Sequence, residues 1–301
     1  MKFVRFTVAL LIIVTLAAFI LLPKSKLAPT KIIKSISHEE APKLFPYPVK
    51  VQTFVDATPI TSKAAVVLDT KTGVVLYEKN SNTKELPAST TKLMTALVAL
   101  EKCTPDQKVT VGPIEKEPTQ MGLATGDTVT VQSLLYGLLI NSGNDAAFAL
   151  SYSCAATTEQ FVSEMNQKTQ EIEMKNTHFT NPEGFDDPAQ YSTAKDLAKL
   201  ARVAVSNPLI SKIVATKSTV VTDVIGTKTY YLENINKLLG EVEGVEGIKT
   251  GQTALAQEIL ITKTTRGGNT IVIVILGSLD RFKESKELIE WAFANHQWIS
   301  P

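Results

Sequence analysis

Ser89 and Lys92 stand three residues apart in the run Leu86-Pro87-Ala88-Ser89-Thr90-Thr91-Lys92-Leu93-Met94. The pattern predicts an apolar helix that opens on a small hydroxyl residue and places an amine one turn later. Residues three apart on a helix share a face, so the Lys92 amine can reach the Ser89 hydroxyl within its own segment. A serine is a poor nucleophile until a base takes its proton. The continuation Leu93, Met94, Ala96, Leu97, Val98 and Leu100 is apolar almost all round and predicts a buried helix. Burial disfavours ammonium, which lowers the lysine pKa toward neutrality and frees the lone pair. Ser-x-x-Lys also occurs by chance, and alone it describes an ordinary helix start with Ser89 as N-cap equally well.

Two further motifs add weight. Ser142-Gly143-Asn144 interrupts the apolar stretches 132–140 and 145–152 with small polar residues. Such a break between buried helices puts polar side chains inside the protein, where they need partners or a function. Lys249-Thr250-Gly251 lies in an alternating run that predicts a strand, and Gly251 lets another backbone come close. A second Lys-Thr-Gly, at Lys71, Thr72 and Gly73, sits between the apolar runs 64–68 and 74–77 and reads as a hairpin turn.

Ser-x-x-Lys, Ser-x-Asn and Lys-Thr-Gly in this order resemble the penicillin-recognising serine enzymes. Five stretches narrow the resemblance to the D-alanyl-D-alanine carboxypeptidases among the low-molecular-mass penicillin-binding proteins: 87–95, 142–147, 177–185, 191–198 and 245–253. It spans residues 56–294. It implies an α+β fold of the β-lactamase/transpeptidase type: an antiparallel β-sheet flanked by helices, a mostly helical subdomain, and a cleft between them. It also implies roles. Ser89 is the nucleophile, Lys92 its base, Ser142 a proton relay, and Asn144 the residue that orients Lys92 and holds the substrate amide. The backbone N–H groups of Ser89 and Gln252 form the oxyanion hole. Lys249, Thr250 and Gly251 bind the substrate, Lys249 and Thr250 take its terminal carboxylate, and Arg281 is a further candidate for it, with a solvated helix-start arginine as the alternative. The implied substrate is the peptidoglycan stem peptide, with β-lactams as inhibitors and no cofactor. The family usually has Ala-Gly where this chain has Ala256-Gln257, which puts the local turn in question. Many relatives carry a further β-rich domain and a terminal amphipathic helix; this chain stops at Pro301.

The chain of 301 residues is 44% hydrophobic with a net charge of +1, enough apolar content for a real core and no electrostatic footprint for nucleic acid. His38, His178 and His296 are far apart and show no metal-ligand spacing; His178 reads as structural. Lys2 and Arg5 precede an uncharged run that ends at Leu22. Residues 1–22 are read as an N-terminal membrane anchor rather than a cleaved signal, because Phe19 spoils a small-x-small site. Lys24, Lys26, Lys31 and Lys34 oppose the positive-inside rule, which is weak when a long domain must translocate. Residues 23–50 read as a linker, with packing of Leu44, Phe45, Tyr47 and Val49 on the domain as the alternative, and 51–301 as the catalytic domain on the extracytoplasmic face. Cys103 and Cys154 suit a disulfide and suit two small buried residues equally.

Strands are further predicted at 219–225, 247–250, 258–263 and 269–276, helices at 158–174 and 283–294, and helices dominate between 89 and 205. Three other functions share the motifs. A serine β-lactamase needs a carboxylate to activate the deacylating water; Glu183 is a candidate, but Asn-Pro-x-Gly around it matches the carboxypeptidase pattern. A wall transpeptidase passes the same acyl group to an amine. A non-enzymatic β-lactam sensor usually feeds a signalling module, and the few residues before the apolar run argue against one.

Overall fold

The computed structural model describes residues 45–114 and 119–300. The expectations for residues 1–22, and for all but the end of 23–50, lie outside the described residues. The strands are β1 (Tyr47–Lys50), β2 (Ala64–Asp69), β3 (Val75–Lys79), β4 (Lys108–Thr110), β5 (Thr128–Thr130), β6 (Ser218–Thr222), β7 (Thr229–Glu233), β8 (Val245–Thr253), β9 (Gln257–Arg266), β10 (Asn269–Ser278) and β11 (His296–Ile299). The helices are α1 (Lys92–Lys102), α2 (Val131–Leu139), α3 (Asn144–Ser153), α4 (Thr158–Glu171), α5 (Ala194–Ser206), α6 (Pro208–Val214) and α7 (Arg281–Asn295).

Five strands pair antiparallel in the order β3-β2-β10-β9-β8. Successive side chains of a strand point to opposite faces. In β2, Ala64, Val66 and Leu68 join the larger core with the helices, while Ala65 and Val67 join a second core against α7. Both faces are therefore covered. This is why β2 and β10 read as unbroken apolar runs instead of alternating ones.

Helix α1 packs on α2, α3, α4 and α5. Lys92 through Ala99 are all buried, as an all-round apolar helix requires. The hairpin predicted at 64–77 forms between β2 and β3. Its turn is built by Asp69, whose Oδ1 accepts from Thr72 N at 2.7 Å and Thr72 Oγ1 at 2.6 Å. The second Lys-Thr-Gly is thus a loop. Where the family usually has glycine, Gln257 adopts φ +61°. The β8–β9 turn thus has left-handed geometry there, at a cost of about 1–2 kcal/mol for a residue with a Cβ.

Some elements differ from the sequence reading. The segment at Ser89 is a 3-10 turn, Ala88–Thr91, and the α-helix starts only at Lys92. The stretch read as linker ends in β1, paired with β11 from Tyr47↔Ile299 to Lys50↔His296. Its partner lies at the far end of the chain, and of its residues only Pro48 is buried, so it carries no alternating signal. Helix α6 and the ribbons β4–β5 and β6–β7 are also additions, apart from the part of β6 predicted at 219–225. Among the described residues, no helix is long and apolar enough to cross a membrane.

Cys103, just after α1, and Cys154, just after α3, form a disulfide across a sequence separation of 51 residues. Closing a loop of that length in the unfolded chain contributes about 2–5 kcal/mol. Reductant, or the Cys103→Ala/Cys154→Ala pair, is therefore expected to lower the melting temperature by roughly 5–15 °C. An unchanged melt would mean that the bond does not staple the native fold.

Candidate active site

The 3-10 turn sets the nucleophile between two backbones. Ala88 has φ +44°, a strained value for a residue with a Cβ. Gly184, at φ +89°, lies so close that a Cβ there would stand 2.1 Å from Ala88 O. A Cβ on Gly251 would stand 3.2 Å from Ser89 N. Glycine at both positions lets the loop and β8 close on the turn from two sides.

Lys92 Nζ has three oxygen neighbours: Ser89 Oγ at 3.1 Å, Asn144 Oδ1 at 2.7 Å and the Glu183 carbonyl. Burial pushes its amine down to about 7, against the Glu183 and Asp145 carboxylates, which favour the ammonium. A neutral amine has two N–H groups and one lone pair. Asn144 and Glu183 can take only N–H groups, so the lone pair is left for the Ser89 hydroxyl proton.

Each acceptor has a local origin. In the turn 181–184, Asn181 Oδ1 accepts from Gly184 N at 2.7 Å and Phe185 N at 2.9 Å. This is what Asn-Pro-x-Gly builds. Thr95, one turn beyond Lys92, donates to Pro182 O at 2.7 Å and fixes the turn to α1. His178 is exposed and pairs through its backbone with Tyr191, bracing the same loop.

Ser142 has φ +58°, and Asn144 opens α3 with its N–H on Thr119 O at 2.9 Å. The buried Asp145 carboxylate accepts from Met121, Gly122 and Leu123 N–H groups at 2.8, 2.9 and 3.0 Å, tying the 119–123 loop to the Ser142 motif. Lys249 Nζ donates to Ser142 Oγ and to Thr250 O, each at 2.9 Å. Burial, then the charge of Arg281 and that of Lys92 when protonated, holds the Lys249 amine well below the ordinary lysine value.

Arg281 begins α7 behind its N-cap Asp280. Its Nη1 donates to Gly251 O at 2.7 Å, and its backbone N donates to Glu258 Oε2 at 3.0 Å. Its Nε is buried without a hydrogen-bond partner among the described residues. A cavity of about 220 Å³ brings together Ser89, Ser142, Thr250, Gly251, Gln252 and Arg281. Thr119 and Ile235 line it too; neither belongs to a motif, and only Thr119, a β-branched residue at φ +63°, is unusual in its backbone. Among the described residues no group of His, Cys, Asp and Glu could hold a metal ion.

A family described as D-alanyl-D-alanine carboxypeptidase matches residues 51–279. The D-alanyl-D-alanine carboxypeptidase DacF of Bacillus subtilis is 32% identical over 246 residues, covering 78% of this chain and 63% of its own length. The chain thus spans less than two thirds of that relative. The D-alanyl-D-alanine carboxypeptidase of Streptomyces sp. (strain K15) is 33% identical over 263 residues, covering 80% of this chain and 90% of that one. The crystal structure of the Streptomyces K15 DD-transpeptidase superposes with a TM-score of 0.75 at 33% identity, over 80% of this chain and 100% of that one. A penicillin-binding protein homologue from Mycobacterium tuberculosis gives a TM-score of 0.77 at 30% identity, over 84% and 99%.

The Lys92 value sets a pH dependence. Below about 7 the amine is protonated and has no lone pair. Acylation of Ser89 by a fluorescent penicillin should therefore slow roughly ten-fold per pH unit below that point. A rate constant unchanged from pH 7 to pH 5 would exclude Lys92 as the base.

Proposed function

Since the chain belongs to the D-alanyl-D-alanine carboxypeptidase family, we propose that it removes the terminal D-alanine from peptidoglycan stem peptides through an acyl-enzyme on Ser89, and that penicillin blocks it by acylating the same serine. The observation that carries this reading is the buried amine of Lys92, with Asn144 and Glu183 as acceptors and Ser89 within reach.

Ser89 Oγ attacks the penultimate carbonyl as Lys92 takes its proton. The developing oxyanion meets the N–H groups of Ser89 and Gln252, and such a donor is worth about 3–4 kcal/mol of barrier. Ser142, held by Lys249, passes its proton to the leaving amine and receives in exchange the proton that Lys92 took from Ser89, which returns Lys92 to the neutral amine. The carboxylate of the leaving D-alanine lies against Thr250, Lys249 and Arg281. Water then attacks the ester, with Lys92 again as base, and releases the shortened peptide.

Mass spectrometry of a D-Ala-D-Ala peptide incubated with the full-length protein should show loss of one alanine. A fluorescent penicillin should label the wild type and leave Ser89→Ala unlabelled. Loss of alanine by Ser89→Ala would sink the assignment. With an acceptor amine present, a product bearing that amine would move the reading to transpeptidation, the activity in the name of the K15 structure. Rapid turnover of penicillin would move it to β-lactamase.

Arg281 binds Gly251 O with one nitrogen and has donors left for a carboxylate. The carboxylate is present in ground and transition states alike, so its loss should appear mainly in KM. Arg281→Ala is expected to lower kcat/KM by roughly ten- to a hundred-fold, the worth of a charged hydrogen bond. Arg281→Lys should recover part, since an ammonium lacks the planar fork. A C-terminally amidated peptide should level the series; an Ala variant equal to wild type on the free acid would leave Thr250 and Lys249 as the carboxylate site.

Residues 1–22 are proposed to anchor the enzyme at the outer face of the cell membrane. Their apolar run and the Cys103–Cys154 disulfide, which suits an oxidising compartment, support this. The intact mass of the mature protein tests it: a chain beginning near residue 25 would mean a cleaved signal and a released enzyme.

A further inference from the structure

The two helices that carry Lys92 and the amide beside it are the same two that the disulfide joins. Lys92 is the first residue of α1 and Asn144 the first of α3. Cys103 directly follows the last residue of α1, and Cys154 the last of α3. The helices have 11 and 10 residues, so at about 1.5 Å per residue they run for roughly 16 and 15 Å. They pack on each other as a parallel pair of nearly equal length. At one end Lys92 Nζ donates to Asn144 Oδ1 at 2.7 Å, and at the other end stands the Cys103–Cys154 bond.

Packing gives this pair little to fix its relative position. With like ends together, the two macrodipoles repel. The buried residues of α3 include Ala146, Ala147 and Ala149, and short side chains offer few ridges to lock into the grooves of a neighbour. Other ties of α3 run elsewhere. Asp145 accepts from the N–H groups of Met121, Gly122 and Leu123, and the Tyr152 hydroxyl accepts from Gly112 N. None of these partners belongs to α1. The disulfide is thus the link that sets where α3 lies along α1. A hydrogen bond weakens steeply beyond about 3.2 Å, so a shift of α3 by a fraction of its diameter decides whether Asn144 meets Lys92.

On the reading of Lys92 as the base, oriented by Asn144, we propose that Cys103 and Cys154 are positioning residues for the reaction. Their bond seats α3 on α1 so that Asn144 Oδ1 meets Lys92 Nζ, and the oxidised chain is the fully active one.

The test compares three forms of the full-length protein well below all their melting temperatures, with the fold checked by circular dichroism: oxidised, reduced by a dithiol, and Cys103→Ala/Cys154→Ala. On reduction the protein disulfide gains two electrons and two protons and becomes two thiols, while the dithiol loses them and becomes a disulfide. Acylation of Ser89 by a fluorescent penicillin should be roughly ten-fold slower in the reduced and the doubly substituted forms, since a misplacement of about 1 Å can cost about a hundred-fold. Reoxidation should restore the reduced form. A purely stabilising bond would leave the rate of the folded protein unchanged. The same comparison on Asn144→Ala, followed over hours to read its residual acylation, should show no further loss on reduction, because residues that act through one another are not additive. Equal rates for oxidised and reduced wild type, or the same fold-loss on Asn144→Ala, would overturn the positioning role while the carboxypeptidase reading stands. Failure of penicillin to label the oxidised wild type would overturn both.

Discussion

Keeping an unprotonated amine dry beside a serine is the constraint on which this structure depends. The amine must lie where water cannot solvate an ammonium, so α1 is enclosed by four helices. Its N–H groups must still be satisfied, and α1 has no spare acceptor to offer. One comes from Asn144 at the start of α3 and one from the Glu183 carbonyl in a loop that is pressed against the turn at Gly184. The arrangement weakens the fold. The unfolded chain holds the Lys92 proton up to about 10.5, while the folded chain releases it at about 7. Between these values the unfolded state binds more protons, so stability rises with pH across that window and is lower by about 5 kcal/mol at its acidic end.

Much of this site was legible because its parts are local. Ser89 and Lys92 share a turn, Ser142 and Asn144 share a loop, and the apolar run after Lys92 announced its burial. What was not legible has no side-chain signature. The second acceptor for Lys92 is a backbone carbonyl, and any residue at 183 would supply one. The φ of Ala88 is imposed by neighbours distant in sequence. Asp145 looked like part of an apolar helix, although a carboxylate in such a run has to find donors, and here three backbone N–H groups meet it. Thr119 and Ile235 reach the cavity only through tertiary folding. The cysteines could be paired only once α1 and α3 were seen to end side by side.

The two Lys-Thr-Gly triplets show how context decides the meaning of a motif. At Lys71 the triplet follows Asp69, whose carboxylate accepts from Thr72 twice and closes a hairpin. At Lys249 the flanking residues continue a strand, and Lys249 and Thr250 are buried. Three identical residues are thus a turn in one place and the wall of a cleft in the other. The turn at Gln257 likewise takes a left-handed φ of +61° without a glycine, at a cost in strain that the strands on either side of it hold.

β8 is the last strand of its sheet, paired only with β9 among the described residues. An unpaired strand edge invites any extended chain to add itself, which is a route to aggregation. Here the edge is guarded by the groups that make the cleft. The 3-10 turn bearing Ser89 packs against it, and the carbonyls of Thr250 and Gly251 are already taken by Lys249 and Arg281. A cavity of about 220 Å³ lies beside this edge. The groups that build the cleft thus also cover the edge at which the sheet stops.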